Sequence, residues 1–429
     1  MTPNITEQME STGFAQVIVV IEPGAAAAAA GIAADVAMPP IRTVAAELER
    51  CFIRAEHGQD AALSRQNAAA VGLALDAPTP PKVRAYEHLG IILGTVDSTG
   101  LAALRSDRRV REVTGAPQLR LIRPVAARSA TLAGTPTWGI ERLEIPRLWD
   151  AGLQGQGVLI GHLDTGVDSH HPAFSGGAIA HFAEFDRLGN PVPGARPHDT
   201  GRHGTHTAGT LVGRPVDGTA FGCAPEAQLA SAIVIEGGNV VARILAGMDW
   251  IVGLRARVLS MSLGLPGFHP DFLPVTRILR ARGVLPVFAV GNEGPGSSRS
   301  PGNYPETLSV GAMNVSDEVA DFSSSQTFAR LEDPLVPDLV APGVDVFSSV
   351  PGAGFMEMSG SSMATPHVAG LAALLFQAVP TATVDEVESA IFGSCKLVPG
   401  MPAERANRGI PNAPAALSLL RGLAMKKAA

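Results

Sequence analysis

The sequence predicts a doubly wound α/β domain, a mostly parallel sheet flanked by helices, preceded by a small α+β domain. From residue 138 onward, short apolar runs at 158–163, 229–235, 258–261, 284–290 and 308–310 alternate with helix-like stretches at 242–254 and 275–282. Buried strands separated by helices make βαβ units, and so a parallel sheet with both faces covered. Polar, glycine-rich segments fall at the ends of such runs, and sites in these sheets form at the carboxyl ends of the strands. Before residue 124 the rhythm is different: strand, helix, strand, helix, strand. The 429 residues are 46% hydrophobic and 17% charged, which excludes global disorder and leaves apolar material for two or three domains.

The first sixteen residues hold Glu7 and Glu10 but no Lys or Arg, and the apolar run 17–21 stops at Glu22 and Pro23. A secretory signal needs a basic start and a longer apolar stretch. The alanine run 25–30 is too short for a membrane span. The expectation is a cytoplasmic protein without membrane contact, or a secreted one if the start is incomplete or another route exports it.

Residues 14–21 (FAQVIVVI) are β-branched and read as a strand. Residues 43–54 carry apolar side chains at helical spacing. Residues 55–83, rich in Ala, Pro and small polar side chains, read as a mobile insertion. Residues 88–96 (HLGIILGTV) give a second strand, Ser98 caps a helix over 98–106, and 110–122 returns as strand. The order describes a ferredoxin-like sandwich over 14–123. Residues 124–137 lose periodicity and read as a linker, and 138–425 form the α/β domain.

The formal charge is −7, and residues 1–129 balance 13 acidic against 13 basic side chains, so the deficit lies wholly in the main body. An acidic body repels phosphate backbones, which argues against nucleic acid as a partner. Cys51, Cys223 and Cys395 lie far apart with no CxxC spacing, which argues against a disulfide framework and a zinc site.

Three polar segments carry chemistry. LDTGVD at 163–168 sets Asp164 at the end of a buried strand, where it can accept hydrogen bonds or merely cap a turn. RHGTHTAGT at 202–210 starts a helix with His203 and His206; with His198 nearby, metal binding is the alternative. SGSSMATPHVAG at 359–370 puts Ser362 at a loop-to-helix junction before the apolar run 371–377. Free N–H groups and the helix dipole there favour developing negative charge, although plain capping also uses Ser.

Together, Asp, His and Ser in this chain order identify the sequence as resembling the subtilisin-like serine proteases (subtilases). The three segments resemble that family's signatures, and AVGNEG at 289–294 resembles the one carrying its oxyanion-hole Asn. The resemblance runs from about residue 138 to 423, with Ser361 where the family usually has Thr. It implies a subtilisin-like fold and a serine endopeptidase. Ser362 is then the nucleophile, His203 the base, Asp164 its orienting partner and Asn292 an oxyanion donor. His206 is structural. Ser262, Leu263 and Gly264, with Gly237 and Gly238, resemble the segments that pair with extended substrate. Ala289, Val290 and Gly291 form one wall of the S1 pocket. Arg299 either projects into that pocket, favouring an acidic P1 residue, or stays on the surface.

The chemistry implied needs no cofactor. Structural calcium is a family trait, but the loop 213–219 offers one carboxylate, Asp217, where a hard cation wants six or more oxygens, so no metal site is expected there. Residues 14–123 resemble the family's propeptide, an intramolecular inhibitor, with processing expected to leave a mature start between about Ala127 and Pro136. The substrate is an extended protein or peptide. Alternatives are a dedicated intracellular maturation protease for one partner, or an inactive binding module.

Overall fold

A computed structural model describes residues 4–22, 40–53, 82–235, 237–330 and 333–428. They divide into two compact units, the first running to Gln118 and taking in 186–190 and 237–250, the second holding the rest.

The first unit is a four-stranded antiparallel sheet of β1 (Phe14–Ile21), β2 (Val83–Tyr86), β3 (Ile91–Asp97) and β4 (Val110–Gly115), in the order β2-β3-β1-β4. Val17, Val19 and Ile21 alternate along β1 and share a core with Val44 and Leu48 of helix Ile41–Leu48 and Leu101 and Leu104 of helix Ser98–Ser106. Ile18 and Val20 are buried as well, so both faces of β1 are covered. Tyr86 donates to the Ala242 carbonyl at 3.1 Å, and Asp249 accepts the backbone N–H of His88 and Leu89 at 2.7 and 2.9 Å.

Three expectations shift here. The strand expected over 88–96 begins at Ile91, because Gly90, at φ 69°, closes the turn from β2. The strand expected over 110–122 stops at Gly115, since Pro117 has no N–H for a ladder. Helix Ile5–Thr12, unforeseen, has a full capping box between Asn4 and Glu7. The insertion expected over 55–83 lies outside the described residues except 82 and 83, and the alanine run 25–30 lies outside them entirely.

The second unit is built on a seven-stranded sheet, parallel throughout, in the order β17-β14-β12-β10-β7-β9-β8. Its outer small strands are β5 (Arg120–Leu121) and β6 (Ala126–Ser129). The sheet strands are β7 (Leu159–Asp164), β8 (Ile179–Glu184), β9 (Gln228–Ile233), β10 (Val258–Met261), β12 (Leu285–Ala289), β14 (Leu308–Met313) and β17 (Leu339–Pro342). The chain winds from β7 to β8 and β9 on one side, then returns to β10 and onward on the other. β7 is therefore the topological switch point, where α/β sheets open a crevice at the strand ends.

Three small sheets complete the unit: β5 with β11 (Leu263–Pro266) and β13 (Arg299–Ser300), β15 (Gln326–Thr327) with β16 (Leu335–Val336), and β6 with β18 (Val346–Val350) and β19 (Gly354–Ser359). Helix Ser361–Ala378 is buried from Ser361 to Phe376, and its run 368–376 is apolar on every face. The expected strands appear at or within a few residues of their places. The edge strands β8 and β17, each short or half-buried, carry too little pattern to be foreseen. Among the described residues no helix is long and apolar enough to cross a membrane.

Candidate active site

Asp164 ends β7 at the switch point and is 1% exposed. His203 opens helix His203–Val212, and its Nδ1 lies 2.8 and 2.9 Å from the two carboxylate oxygens of Asp164. The next residue explains the closeness. A Cβ on Gly204 would meet the Gly166 carbonyl at 2.1 Å, so only glycine lets the helix start press on the loop after β7. Burial works against the charge of Asp164, but the charge and hydrogen bond of His203, with the Thr165 N–H at 2.7 Å, hold its carboxyl below the ordinary range.

Asp199 was not singled out by the sequence, yet it fixes this junction. It accepts from Thr165 Oγ1 at 2.7 Å and Gly201 N at 2.8 Å, and from Thr205 N and Oγ1 at 2.8 and 2.6 Å. It caps the helix that Arg202, the residue before it, does not cap. An Asp three residues before RHGTH was the available signal.

Ser362 is the second residue of helix Ser361–Ala378, so its hydroxyl sits among free N–H groups. Pro366 has no N–H to offer the Ser362 carbonyl, which takes the Ser262 hydroxyl at 3.5 Å instead. Ser362 Oγ donates to the carbonyl of Ile122 at 2.5 Å. With that hydroxyl turned away, the buried Nε2 of His203 has no partner among the described residues. Asn292 is held by its own carbonyl, which accepts Ser361 N and Oγ, both at 2.8 Å; its Nδ2 donates to the Arg123 carbonyl at 2.9 Å.

The segment meeting these groups is an added strand. Leu121 and Arg120 of β5 pair antiparallel with Leu263 and Gly264, and Ile122 N donates to the Ser262 carbonyl at 2.9 Å. Beyond the site, Val125 N donates to Ser359 at 2.8 Å and β6 pairs with β19. The stretch expected to be a plain linker thus carries a strand. Within the range 127–136 expected to hold the mature start, residues 127–129 are part of the paired strand β6, and the carbonyl on Ser362 is that of Ile122.

Arg299, expected either in the S1 pocket or on the surface, packs beside Gly264 and Gly291. A Cβ on Gly264 would meet Arg299 Cβ at 2.8 Å, and one on Gly291 would meet Arg299 Cγ at 3.2 Å. Its N–H is bonded to the Val290 carbonyl at 2.9 Å. The guanidinium does not stand free. Nε and Nη2 hold one oxygen of Glu293, and Nη1 reaches the Gly264 carbonyl at 3.3 Å. Burial raises the Glu293 carboxyl, but Arg299 outweighs it and keeps Glu293 low and charged. Ala289 ends β12 beside this slot. Gly237 and Gly238 belong to the first unit, at φ 87° and 71°, with Gly238 against Arg187.

For the metal alternative at the histidine pair, each ring is engaged through one nitrogen, His203 Nδ1 by Asp164 and His206 Nε2 by backbone carbonyls. His206 Nε2 donates to the Val346 and Met356 carbonyls at 3.0 and 3.2 Å, and burial pushes its pKa down to about 3. No group of three or more metal-ligating side chains occurs among the described residues. Asp217, at φ 45°, sits in the tight turn Val216–Thr219, which brings no further carboxylate.

Comparison with known proteins places the chain among relatives of one family. The model of the Subtilase family matches residues 155–410. M-protease of Shouchella clausii (strain KSM-K16) is 38% identical over 258 residues, 59% of this chain and 63% of that protein. Subtilisin E of Bacillus subtilis (strain 168) is 32% identical over 292 residues, 67% of this chain and 72% of its own length. An intracellular serine protease of Paenibacillus polymyxa is 36% identical over 248 residues, 56% and 72%. The chain thus spans a little under two thirds of M-protease.

Proposed function

Because this chain belongs to the subtilase family, we propose that it is a serine endopeptidase made as a self-processing zymogen. The observation carrying this is the convergence of the Asp164–His203 pair, Ser362 and Asn292 on one extended stretch of backbone. The Ser362 oxygen attacks the carbonyl carbon of a peptide laid along β11, and His203 Nε2 takes its proton. Asp164 orients the ring and stabilises its charged form. Asn292 Nδ2 and the Ser362 N–H hold the tetrahedral oxyanion. As the intermediate collapses, His203 protonates the leaving amine. Water, deprotonated by the same ring, then releases the acyl group. Each proton removed is returned, so the chemistry needs no cofactor.

The substrate is an extended protein or peptide segment, bound by strand addition to Ser262, Leu263 and Gly264 with Ala289, Val290, Gly291 and Arg299 lining the P1 slot. Gly237 and Gly238 supply a second backbone edge, a role supported by the resemblance of their segment. The N-terminal domain is the intramolecular inhibitor, and its supporting observation is the pairing of β5 with β11. Self-cleavage falls after Ile122, whose N–H is on Ser262 and whose carbonyl is on Ser362; a cut one residue later would fall on a proline nitrogen. A cytoplasmic site of action is supported by the likeness to the intracellular serine protease and by three free thiols among the described residues.

The test is the intact mass of the purified chain beside Ser362→Ala after incubation at neutral pH. The wild type should lose roughly 13 kDa of its 44.3 kDa from the N-terminus, leaving Arg123 first, while the variant stays whole. Loss of the same fragment from both would overturn self-processing, and no reaction of Ser362 with a fluorophosphonate would overturn the peptidase reading itself.

A further inference from the structure

Asp164 faces two imidazoles. One is His203. The other is His162, two residues earlier on β7, whose side chain therefore points to the same face of the sheet. The sequence shows it as a lone histidine inside an apolar strand, VLIGHL. It is 1% exposed, with Nδ1 2.9 Å from Ser231 Oγ on the adjoining strand β9 and Nε2 2.9 Å from Thr207 Oγ1 on helix His203–Val212. Its Nε2 is 3.8 Å from Asp164 Oδ2, too far for a direct bond, but Thr207 Oγ1 is 3.3 Å from that oxygen.

The hydrogens have few arrangements. Burial lowers the pKa of His162, so the ring is neutral near pH 7 and carries one N–H. If that proton sat on Nδ1, the Thr207 hydroxyl would have to donate to Nε2 and nothing from this side would reach the carboxylate. With it on Nε2, Ser231 donates to Nδ1, Nε2 donates to Thr207, and the Thr207 hydroxyl is freed to donate to Asp164 Oδ2 at 3.3 Å, in competition with the His203 and Gly204 carbonyls at 3.2 Å. A buried carboxylate favours the second arrangement, since every dipole in that chain then points its positive end at the charge. An aliphatic residue would fill this strand position without two polar partners to satisfy.

We propose that His162 is a positioning residue for the triad: through Thr207 it aims a hydroxyl at Asp164 and so limits how strongly that carboxylate holds a proton on His203. The proposal rests on the peptidase reading of the site. The charged or titratable groups facing the network are Asp164 on β7, Asp199 in the loop before the helix, and His203 and His206 on the helix. Asp199 is engaged by Thr165, Gly201 and Thr205, His206 by the Val346 and Met356 carbonyls, and Arg202 turns its guanidinium to Met356 Sδ at 3.5 Å.

The test is the pH profile of kcat/KM on a peptide p-nitroanilide, with the titration of the His203 ring followed by NMR of 15N-histidine protein in the Ser362→Ala background. Thr207→Val removes the donor with little change of volume, and should move both the acid limb and the ring titration up by about half a pH unit. His162→Phe should do the same, His162→Gln, which returns an N–H near the Nε2 position, should restore the wild-type profile, and Thr207→Val with His162→Phe should shift no further than Thr207→Val alone. An acid limb and a ring titration both unmoved in Thr207→Val overturn the proposal, even if His162→Phe does not fold. Shifts that add in the double variant also overturn it, because His162 would then act by another path. A ring titration that shifts in a chain with no turnover upholds the relay while removing the peptidase reading.

Discussion

Ser362 and Asn292 address two successive carbonyls of the same strand: the hydroxyl donates to Ile122 at 2.5 Å, the side-chain amide to Arg123 at 2.9 Å. Attack requires nucleophile and oxyanion donor on one carbonyl. Under the proposed inhibitor role, the segment as seated is not aligned for attack, and its cleavage needs a slip of one residue against paired strands on either side. A free peptide of residues 117–128 carries no such restraint. The processed enzyme should cut it between Ile122 and Arg123 with a kcat at least about tenfold above the first-order rate at which the zymogen cuts itself. Intramolecular reactions normally run the other way, so equal rates, read by mass spectrometry over time, would count against the inhibited register.

The side chain of Asn292 is aimed by Ser361, which donates to it through both N–H and hydroxyl. A donor fixed in advance costs nothing to orient when charge develops. Asn292→Ala should lower kcat by about 10²–10³, the size seen when a subtilisin loses its oxyanion-hole amide, with little change in KM. Ser361→Ala leaves the donor present but less fixed, so its loss should be smaller. A KM effect without a kcat effect would make Asn292 a ground-state contact.

Arg299 and Glu293 form an ion pair, and in the proposed site this pair would set the P1 slot by size and by charge together. Arg299 packs between Gly264 and Gly291, and Glu293 cancels its charge. The expectation of an acidic P1 preference has Arg299 project into the pocket, and Glu293 meets that guanidinium. With the pair intact, cleavage of a peptide library should favour short aliphatic P1 residues such as the Ile122 of the chain's own strand. Arg299→Gly should raise kcat/KM for Phe at P1 relative to Ile by about tenfold, in line with one pocket-filling contact. Glu293→Gln should bring out preference for Glu. A wild type already favouring Glu at P1 would mean the pair opens to substrate.

What was legible follows from which signals are local. The apolar runs announced the central strands because a parallel strand buried on both faces needs no alternation. Asp164, His203, Ser362 and Asn292 were legible because each stands in a glycine-rich junction whose spacing survives in one dimension. Asp199, Thr207 and Ser231 were not, since their meaning depends on a partner more than thirty residues away or on a neighbouring strand. Glu293 was read only as part of a motif, and its pairing with Arg299 depends on the turn between them. The helix Val384–Ser394 did carry a local signal, the Thr383–Glu386 capping box, but lies far from the chemistry.

Three buried groups with large shifts act on the dependence of stability on pH, and they oppose one another. Burial pushes His206 down to about 3 and His367 down to about 4, against an ordinary 6.5. The unfolded chain binds those protons first, so stability is whole above about pH 6.5 and falls toward pH 4, by about 1.4 kcal/mol per pH unit for each group. Asp338 has the other sign. Burial raises it to about 7 despite the Ser309 N–H at 2.8 Å and Arg408 nearby. Folded Asp338 keeps a proton that the unfolded chain gives up near pH 4, so its contribution is present below that and is lost as pH rises through about 7. In Ser362→Ala protein, which cannot digest itself, Tm should fall on acidification from pH 6.5 to 4.5, His206 and His367 outweighing Asp338. Asp338→Asn removes the opposing group. Its Tm relative to the parent should therefore climb between pH 4 and 7 and level off above, and a difference independent of pH would show that Asp338 ionises alike in both states.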